Sequence, residues 1–255
     1  MSHGMTPGRL YRRKAIAEAG KFETFAAMED DFHHFTVHLR HDGRHVTELV
    51  GEAVRFPWTT CPGATAKLEQ LIGAPLNPTP EDPGRKTHIA EHCTHLYDVA
   101  KFAIAQSARS LSGQGQRRQY DITIPDIIDG QTTGDISRDG APVFHWEIRD
   151  RVVIAPPAFA GHKLPGRAQW PKGSIVDADA LEAALMLRRA LVIFRGRMSE
   201  YPEITSADQV PGGFASCFTY QPENAPNGRW VMEEMNYTAS ADQLLADFAV
   251  KRSFA

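Results

Sequence analysis

The chain has 255 residues, of which 42% are hydrophobic and 23% are charged, and its formal net charge at pH 7 is −3. This composition is typical of a globular protein and excludes disordered, collagen-like and coiled-coil chains. The near-neutral charge favours neither nucleic acid nor an anionic membrane as a partner, so we expect a small-molecule substrate. The length allows one or two domains with a substantial core.

The N-terminal segment and the cysteine content indicate a compartment. No apolar stretch follows Met1, so no signal peptide is expected. The most apolar segment, residues 183–194, contains Arg188 and Arg189 and is too short to span a bilayer. Three cysteines do not form a disulfide framework, and an odd number fits a reducing environment. We therefore predict a cytoplasmic protein, with homo-oligomerisation left open.

The first predicted elements are an irregular arm and a β-hairpin. Residues 9–28 have apolar side chains at helical spacing but also contain a glycine, which indicates an irregular N-terminal arm. Residues 31–40 then alternate between apolar and polar, and residues 46–56 resume an extended pattern. The dipeptide Asp42-Gly43 between these two runs is typical of a hairpin turn.

Two helices, each headed by a cysteine, are predicted next. Pro62 favours the first position of a helix, which places Cys61 at its N-cap and the helix itself over residues 64–72. Cys93 precedes a second run of apolar residues at helical spacing, which continues to about Leu111. Both cysteines are therefore expected in the first turn of a helix.

The second half of the sequence predicts mainly strands and one long helix. Residues 112–118 are rich in glycine, glutamine and arginine and are typical of a linker. The elements predicted beyond the linker are a strand at 120–124, a meander over 134–154 that ends at Pro156, a helix from Asp177 or Asp179 to about residue 198, a strand around 217–220 and a short helix at 241–248.

These patterns predict the α+β class, in which a β-hairpin and two cysteine-headed helices precede a β-rich second half with one long helix. We assign residues 1–111 to a half that carries a cysteine and histidine site, and residues 119–255 to the β-rich half. The two halves are expected to pack as one compact unit.

A metal site is predicted in the first half. Nine of the 11 histidines lie within the first 95 residues, together with Cys61 and Cys93. The dipole at a helix N-terminus lowers the pKa of a thiol, and a thiolate binds metal. The predicted ligands are the two cysteines with His92 or His95; a further ligand could come from the hairpin, where the candidates are Asp30, Asp31, His33 and His34. Thiolate and imidazole ligands favour zinc, with iron as the alternative.

Asp98 lies one helical turn after His95, so we expect its carboxylate to orient that imidazole. His33 or His34 is a candidate general base as well as a candidate ligand. Two other interpretations stay open: a metal-free pair of cysteine and histidine acting as a nucleophile, and two buried cysteines acting only as small apolar residues. The motifs of nucleotide hydrolases, serine hydrolases and common zinc proteases do not occur.

The cysteine motifs resemble those of a known family. Thr-Cys-Pro-Gly-Ala at residues 60–64, His-Cys-Thr-His-Leu at 92–96 and Asp-Phe-His at 31–33 resemble the CPGA, CTHL and DDFHH-like motifs of an uncharacterised bacterial family, over most of the chain. The order of elements in residues 30–110 is similar to that of NifU/SufE-type iron–sulfur assembly proteins. That resemblance implies a NifU/SufE-like fold for the first half, although Gly63 stands where those proteins carry an aspartate.

The expected function is that of an enzyme. A metal- or thiolate-dependent lyase, hydratase or hydrolase fits a chain without a cofactor-binding motif. The family resemblance implies a small aromatic or other organic catabolite as its substrate. Two alternatives are an iron–sulfur or sulfur-transfer scaffold that works with a partner protein, and a structural zinc domain with a closed four-ligand site.

Overall fold

The structure is a computed structural model that describes residues 8–79, 89–164, 177–198, 204–213 and 215–249. The strands are β1 (Leu10–Ala19), β2 (Glu23–Asp30), β3 (His34–His41), β4 (Val46–Arg55), β5 (Arg117–Pro125), β6 (Gln131–Arg138), β7 (Ala141–Arg149) and β8 (Val152–Ala155), and the α-helices are α1 (Thr94–Leu111) and α2 (Ala178–Ile193). A 3₁₀ helix covers Cys61–Leu71. The described residues form an eight-stranded antiparallel sheet with the order β4-β3-β2-β1-β5-β6-β7-β8.

The described residues divide into two compact units. The first unit contains those that fall within 15–118, 201–235 and 245–255, and the second contains those within 1–14, 119–200 and 236–244. The first unit therefore includes β2, β3, β4 and α1. The second unit includes β6, β7, β8 and α2.

In the first unit, both faces of the β2–β3 pair are covered. Helix α1 packs against one face, where the Thr24 and Ser107 hydroxyls lie 2.7 Å apart. On the other face Phe25 packs with Leu245 and Phe248. Although the β3 sequence alternates between apolar and polar residues, most residues on both faces are buried, because the chain segment around 245–248 covers the second face.

In the second unit, helix α2 packs on β6. Leu187 and Leu191 approach Gly134 so closely that a Cβ at this position would lie 3.0–3.3 Å from their methyl groups. Tyr120 donates a hydrogen bond of 3.0 Å from its hydroxyl to Glu182. Asp177 caps the helix by accepting backbone N–H groups of the first turn, as the sequence predicted.

Several predicted elements are confirmed. The hairpin forms as β3 and β4, with Gly43 in the left-handed region at φ +94°. Helix α1, strand β5 and the β6–β8 meander occupy the predicted segments, and α2 continues as a 3₁₀ turn, Phe194–Met198. Periodicity and turn residues were sufficient here because each element has its own sequence signature.

The predicted fold class is wrong. The chain forms a continuous antiparallel sheet instead of a NifU/SufE-like hairpin with two helices, and the predicted N-terminal arm forms β1 and β2. In β1 the buried positions alternate correctly, but they are occupied by Tyr11, Arg13, Ala15 and Ala17. One arginine and two alanines give a weak hydrophobic signal, so the period of two was hidden.

Three further elements differ from the prediction. The segment Cys61–Leu71 is a 3₁₀ helix in place of the α-helix predicted over residues 64–72. Residues 217–220 contain the 3₁₀ turn Phe218–Tyr220 in place of a strand, and Ala241–Gln243 forms a 3₁₀ turn in place of a continuous helix.

No helix in the described ranges is both long enough and apolar enough to cross a membrane.

Candidate metal centre

The turn between β2 and β3 is held by its first residue. The Asp30 Oδ1 atom accepts the backbone N–H groups of Phe32 at 2.9 Å and His33 at 2.8 Å, which is the geometry of an Asx turn. Arg55, at the end of β4, donates to the carbonyl oxygens of Asp30 at 2.6 Å and Asp31 at 2.9 Å. Hydrogen bonds to the Asp30 carboxylate and to two carbonyl oxygens of the turn therefore fix its conformation.

This turn meets the first turn of α1 in a group of three metal-ligand side chains. His33 Nδ1 lies 3.1 Å from Asp30 Oδ1, and the His33 ring stacks on the His95 ring with centroids 3.9 Å apart and planes 26° apart. One ligand atom from each of Asp30, His33 and His95 lies within 4.8 Å of the other two. Within the part of the chain that the structure describes, this group alone meets that criterion.

The surroundings of this group hold an unusual concentration of buried ionisable side chains. Asp30 and Asp31 have no exposed surface, and Glu29, His33 and His34 are 8% exposed or less. Burying such groups costs several kcal/mol each unless partners compensate. A stretch of chain that retains five of them is therefore a candidate functional site.

Part of this cost is offset by ion pairs and backbone donors. The Arg55 guanidinium lies 3.0 Å from Glu29 Oε1, and the backbone N–H of Leu245 donates to Glu29 Oε2 at 2.7 Å. His34 lies 3.9 Å from both Glu29 and Asp247. Consecutive residues at a strand start face opposite sides of the sheet, so His34 faces the 245–248 segment while His33 faces α1.

Two imidazoles and one carboxylate form a recognised ligand set for divalent transition metals. Zinc is bound by such sets in hydrolytic enzymes, and non-haem iron(II) by the same donors. Each of the three side chains offers one ligand atom, so an ion bound to all three would keep further coordination positions for water or substrate.

The three cysteines of the chain all lie in the first unit. Cys61 begins the 3₁₀ helix, Cys93 is the N-cap of α1, and Cys217 is the N-cap of a short 3₁₀ turn. Cys61 Sγ lies 3.4 Å from the Thr219 hydroxyl, and the backbone N–H of Phe218 donates to the His92 carbonyl at 2.9 Å. The 217–219 segment thus connects the starts of the two helical elements.

Burial dominates the electrostatics of these thiols. It raises the pKa of Cys61 to about 11, and it holds the pKa of Cys93 well above the usual range, with a smaller rise from the neighbouring thiols in both cases. The backbone N–H groups at the start of α1 oppose this shift but do not reverse it. The prediction that helix N-termini lower both thiol pKa values is wrong, because desolvation outweighs the dipole.

The other predicted site residues occupy different places. His92 is fully buried, and its ring packs 4.8 Å from that of Tyr97. Asp98 forms an ion pair with Lys101 at 3.2 Å. The group of possible metal ligands in the structure joins His95 to Asp30 and His33, both named as candidates from the hairpin.

A surface cavity of about 330 Å³ lies apart from this group. Its lining includes Glu18, Glu23, Phe25 and His38. Glu23 and Phe25 lie seven and five residues before Asp30 on β2, which places the cavity roughly 17–23 Å from the metal-ligand group along the strand. The cavity therefore does not serve that group.

Sequence reasoning missed two residues that shape these sites. Arg55 was read only as part of an extended run, although a lone arginine at a strand end opposite a carboxylate-rich turn is a detectable signal. Cys217 was assigned to a core strand, and nothing in its neighbourhood along the chain links it to Cys61 or Cys93.

Compared with known proteins, the chain matches no family model and no curated protein.

Proposed function

We propose that the protein is a metal-dependent enzyme that uses Asp30, His33 and His95 to hold a divalent transition-metal ion, zinc or alternatively iron. The observation that supports this proposal is the convergence of the three ligand atoms within 4.8 Å in a buried position. Two imidazoles and a carboxylate placed this close together can bind a divalent cation. Their burial lowers the stability of the fold unless an ion or a proton is bound to them.

The proposed reaction class is hydrolysis, hydration or elimination on a small organic substrate. A divalent ion in this position supplies a Lewis acid and lowers the pKa of a bound water to about 7. The protein's own contribution is positional. Asp30 is fixed by two backbone N–H groups, so its carboxylate keeps its direction. The stacked rings of His33 and His95 restrict each other's movement and keep both imidazoles beside the Asp30 carboxylate.

Arg55 supports the same centre from outside. Its contacts with the carbonyl oxygens of Asp30 and Asp31 hold the turn that carries two of the three ligands. Partners of this kind affect metal affinity by roughly 10–100-fold when they are removed. A cytoplasmic location belongs to the proposal as well, and the three cysteines support it because none forms a disulfide and thiols persist in a reducing compartment.

Elemental analysis of untagged protein tests the proposal. We expect His33→Ala and His95→Ala each to hold about one zinc or iron per chain less than the wild type. The matched control is His145→Ala, which removes a histidine that also pairs with an aspartate but lies on the surface. A metal content equal to that of wild type in both site variants, or no metal in wild type reconstituted with zinc and with iron(II), would overturn the proposal.

A chelator experiment separates a catalytic centre from a structural zinc domain. A structural site contributes its binding energy to folding, so removing the ion unfolds the domain. We expect the protein to keep its circular dichroism spectrum and cooperative unfolding after chelation, because the sheet carries a core independent of the three ligands. Unfolding on chelation would favour the structural alternative.

A further inference from the structure

The three cysteines lie near one another although they belong to three separate elements. Phe218, the residue after Cys217, bonds through its backbone N–H to the carbonyl of His92, the residue before Cys93. Thr219, two residues after Cys217, contacts the Cys61 Sγ atom. The 217–219 segment therefore brings Cys217 close to the other two cysteines.

The contacts around the cysteines hold the three elements together. The Thr219 hydroxyl lies 3.4 Å from Cys61 Sγ and also 3.1 Å from the Thr60 hydroxyl. Phe218 donates its backbone N–H to the carbonyl of His92, the residue before Cys93. On the next turn, Gln221 Nε2 donates to the Ala90 carbonyl at 2.6 Å. These bonds fix the 217–221 segment against the starts of both helical elements.

The chemistry of three neighbouring thiols narrows the choice of ligand. Thiolates prefer soft or borderline metals, and three of them suit a thiophilic divalent cation such as Zn²⁺. Hard cations such as Mg²⁺ and Ca²⁺ prefer oxygen donors and are excluded by the donor set. The three Sγ atoms do not all lie within 4.8 Å of one another, so ligation requires a side-chain rotation. Cys217 is half-buried, whereas Cys61 and Cys93 are buried.

We propose that Cys61, Cys93 and Cys217 form a second metal site, specific for a thiophilic divalent cation and separate from Asp30, His33 and His95. Binding replaces the three thiol protons by one cation and releases them to solvent, with no change of oxidation state. The bound ion connects the 3₁₀ helix, α1 and the 217–219 segment of the first unit. Cys217 is the residue that turns two buried thiols into a three-donor site.

Cadmium is the probe for this site, because thiolate ligation gives Cd²⁺ a charge-transfer absorption in the ultraviolet. We titrate fully reduced full-length protein and expect the band to saturate at about one Cd²⁺ per chain. Cys217→Ser should abolish saturation at this stoichiometry, since one of three donors is lost. His33→Ala should leave the band unchanged, which separates this site from the Asp30, His33 and His95 centre and keeps the two proposals independently testable.

Ser216→Ala is a matched control beside Cys217, because the Ser216 hydroxyl only donates to the Gly213 carbonyl. It should keep the cadmium band. Variants of the buried Cys61 and Cys93 could lose the fold, so the wild type supplies a second measurement. We expect Cd²⁺ to slow iodoacetamide alkylation of Cys217 at least tenfold, as read by peptide mass. No band in folded, reduced wild type, a band that persists in Cys217→Ser, or an unchanged alkylation rate would each overturn the proposal.

Discussion

Each unit of the protein contains a histidine–aspartate pair, and the two pairs differ in their surroundings. His33 and Asp30 lie 3.1 Å apart with side chains 10% and 0% exposed, whereas His145 and Asp135 lie 2.7 Å apart with side chains 56% and 54% exposed. By distance alone, the exposed pair is the tighter one. The buried pair differs in having a second imidazole stacked against it and two backbone donors on its carboxylate.

The comparison shows what makes a candidate site out of common residue types. A solvent-exposed pair is screened by water and contributes little energy. The buried side chains of His33 and Asp30 are desolvated and held in place, so their electrostatic interaction with a bound cation is strong. The third ligand, His95, arrives because α1 packs on the face of β2 and β3 from which His33 projects. Burial and the third donor, His95, therefore distinguish the candidate site from the exposed pair.

The largest stability difference between the units is expected at their ion pairs. Arg55 and Glu29 form a mostly buried pair, and Arg138 and Asp179 form a partly exposed one. Arg55→Ala leaves the Glu29 carboxylate buried without its counter-charge and should lower the free energy of unfolding by about 3–5 kcal/mol. Arg138→Ala should lower it by less than about 1 kcal/mol.

Urea unfolding of the two variants beside wild type measures this difference, with the slope of the transition as a check on two-state behaviour. Equal losses for Arg55→Ala and Arg138→Ala would contradict the claim that the first unit holds its charges in a desolvated environment.

Alkaline pH should destabilise the protein through the first unit, which contains all three cysteines. The folded chain keeps the Cys61 proton up to a pKa of about 11, while the unfolded chain releases it near the ordinary value of about 9. The folded state then binds more protons between these two values, so the free energy of unfolding falls as pH rises through this window. The protonated Cys61 thiol contributes its full stabilisation below about pH 9. Between about pH 9 and pH 11 this contribution is lost, and the free energy of unfolding falls by about 2–3 kcal/mol.

Urea midpoints measured at several pH values across this window test the effect. Cys61→Ala should flatten the pH dependence, although Cys93 adds a change of the same direction. A pH dependence identical in wild type and Cys61→Ala would show that the thiol is not held protonated by burial.

The smallest of these effects concerns helix packing in the two units. A Cβ at Gly51 of β4 would lie 2.6 Å from Leu68 and 3.1 Å from Leu96, whereas a Cβ at Gly134 of β6 would meet Leu187 at 3.0 Å. Gly51→Ala should therefore cost about 1–3 kcal/mol by overpacking, and Gly134→Ala about 1 kcal/mol. Thermal unfolding of the two variants provides the measurement. A larger loss at Gly134 would reverse the packing order that the structure implies.

The sequence predicted the parts of the fold that have local signatures. The Asp42-Gly43 turn, the amphipathic α1 and the Asp177 cap were all readable, because each depends on residues that are neighbours along the chain. Strands β1 and β2 were not, since the buried positions of β1 include alanine and arginine, and those of β2 include polar residues on both faces. Their assignment depends on the long-range burial of both sheet faces, which sequence periodicity does not report.

The sequence predicted which residue types form the candidate site, but it did not predict which individual residues come together there. The hairpin residues and His95 were named as ligand candidates, but sequence spacing does not show which of them meet. The stacking of His33 on His95 depends on the packing of α1 against the sheet, and Cys217 reaches the other cysteines only through tertiary hydrogen bonds. The thiol pKa values also follow from burial, which a helix N-terminus alone does not reveal.

Zinc X-ray absorption spectroscopy tests the central claim most directly, because it identifies the donor atoms. The sample is Cys217→Ser protein loaded with one equivalent of Zn²⁺, so that the three-thiol site is incomplete. The account predicts nitrogen and oxygen donors at about 2.0–2.2 Å and loss of bound zinc when His33→Ala is added. Sulfur donors at about 2.3 Å, or zinc bound equally well without His33, would contradict a metal centre built from Asp30, His33 and His95.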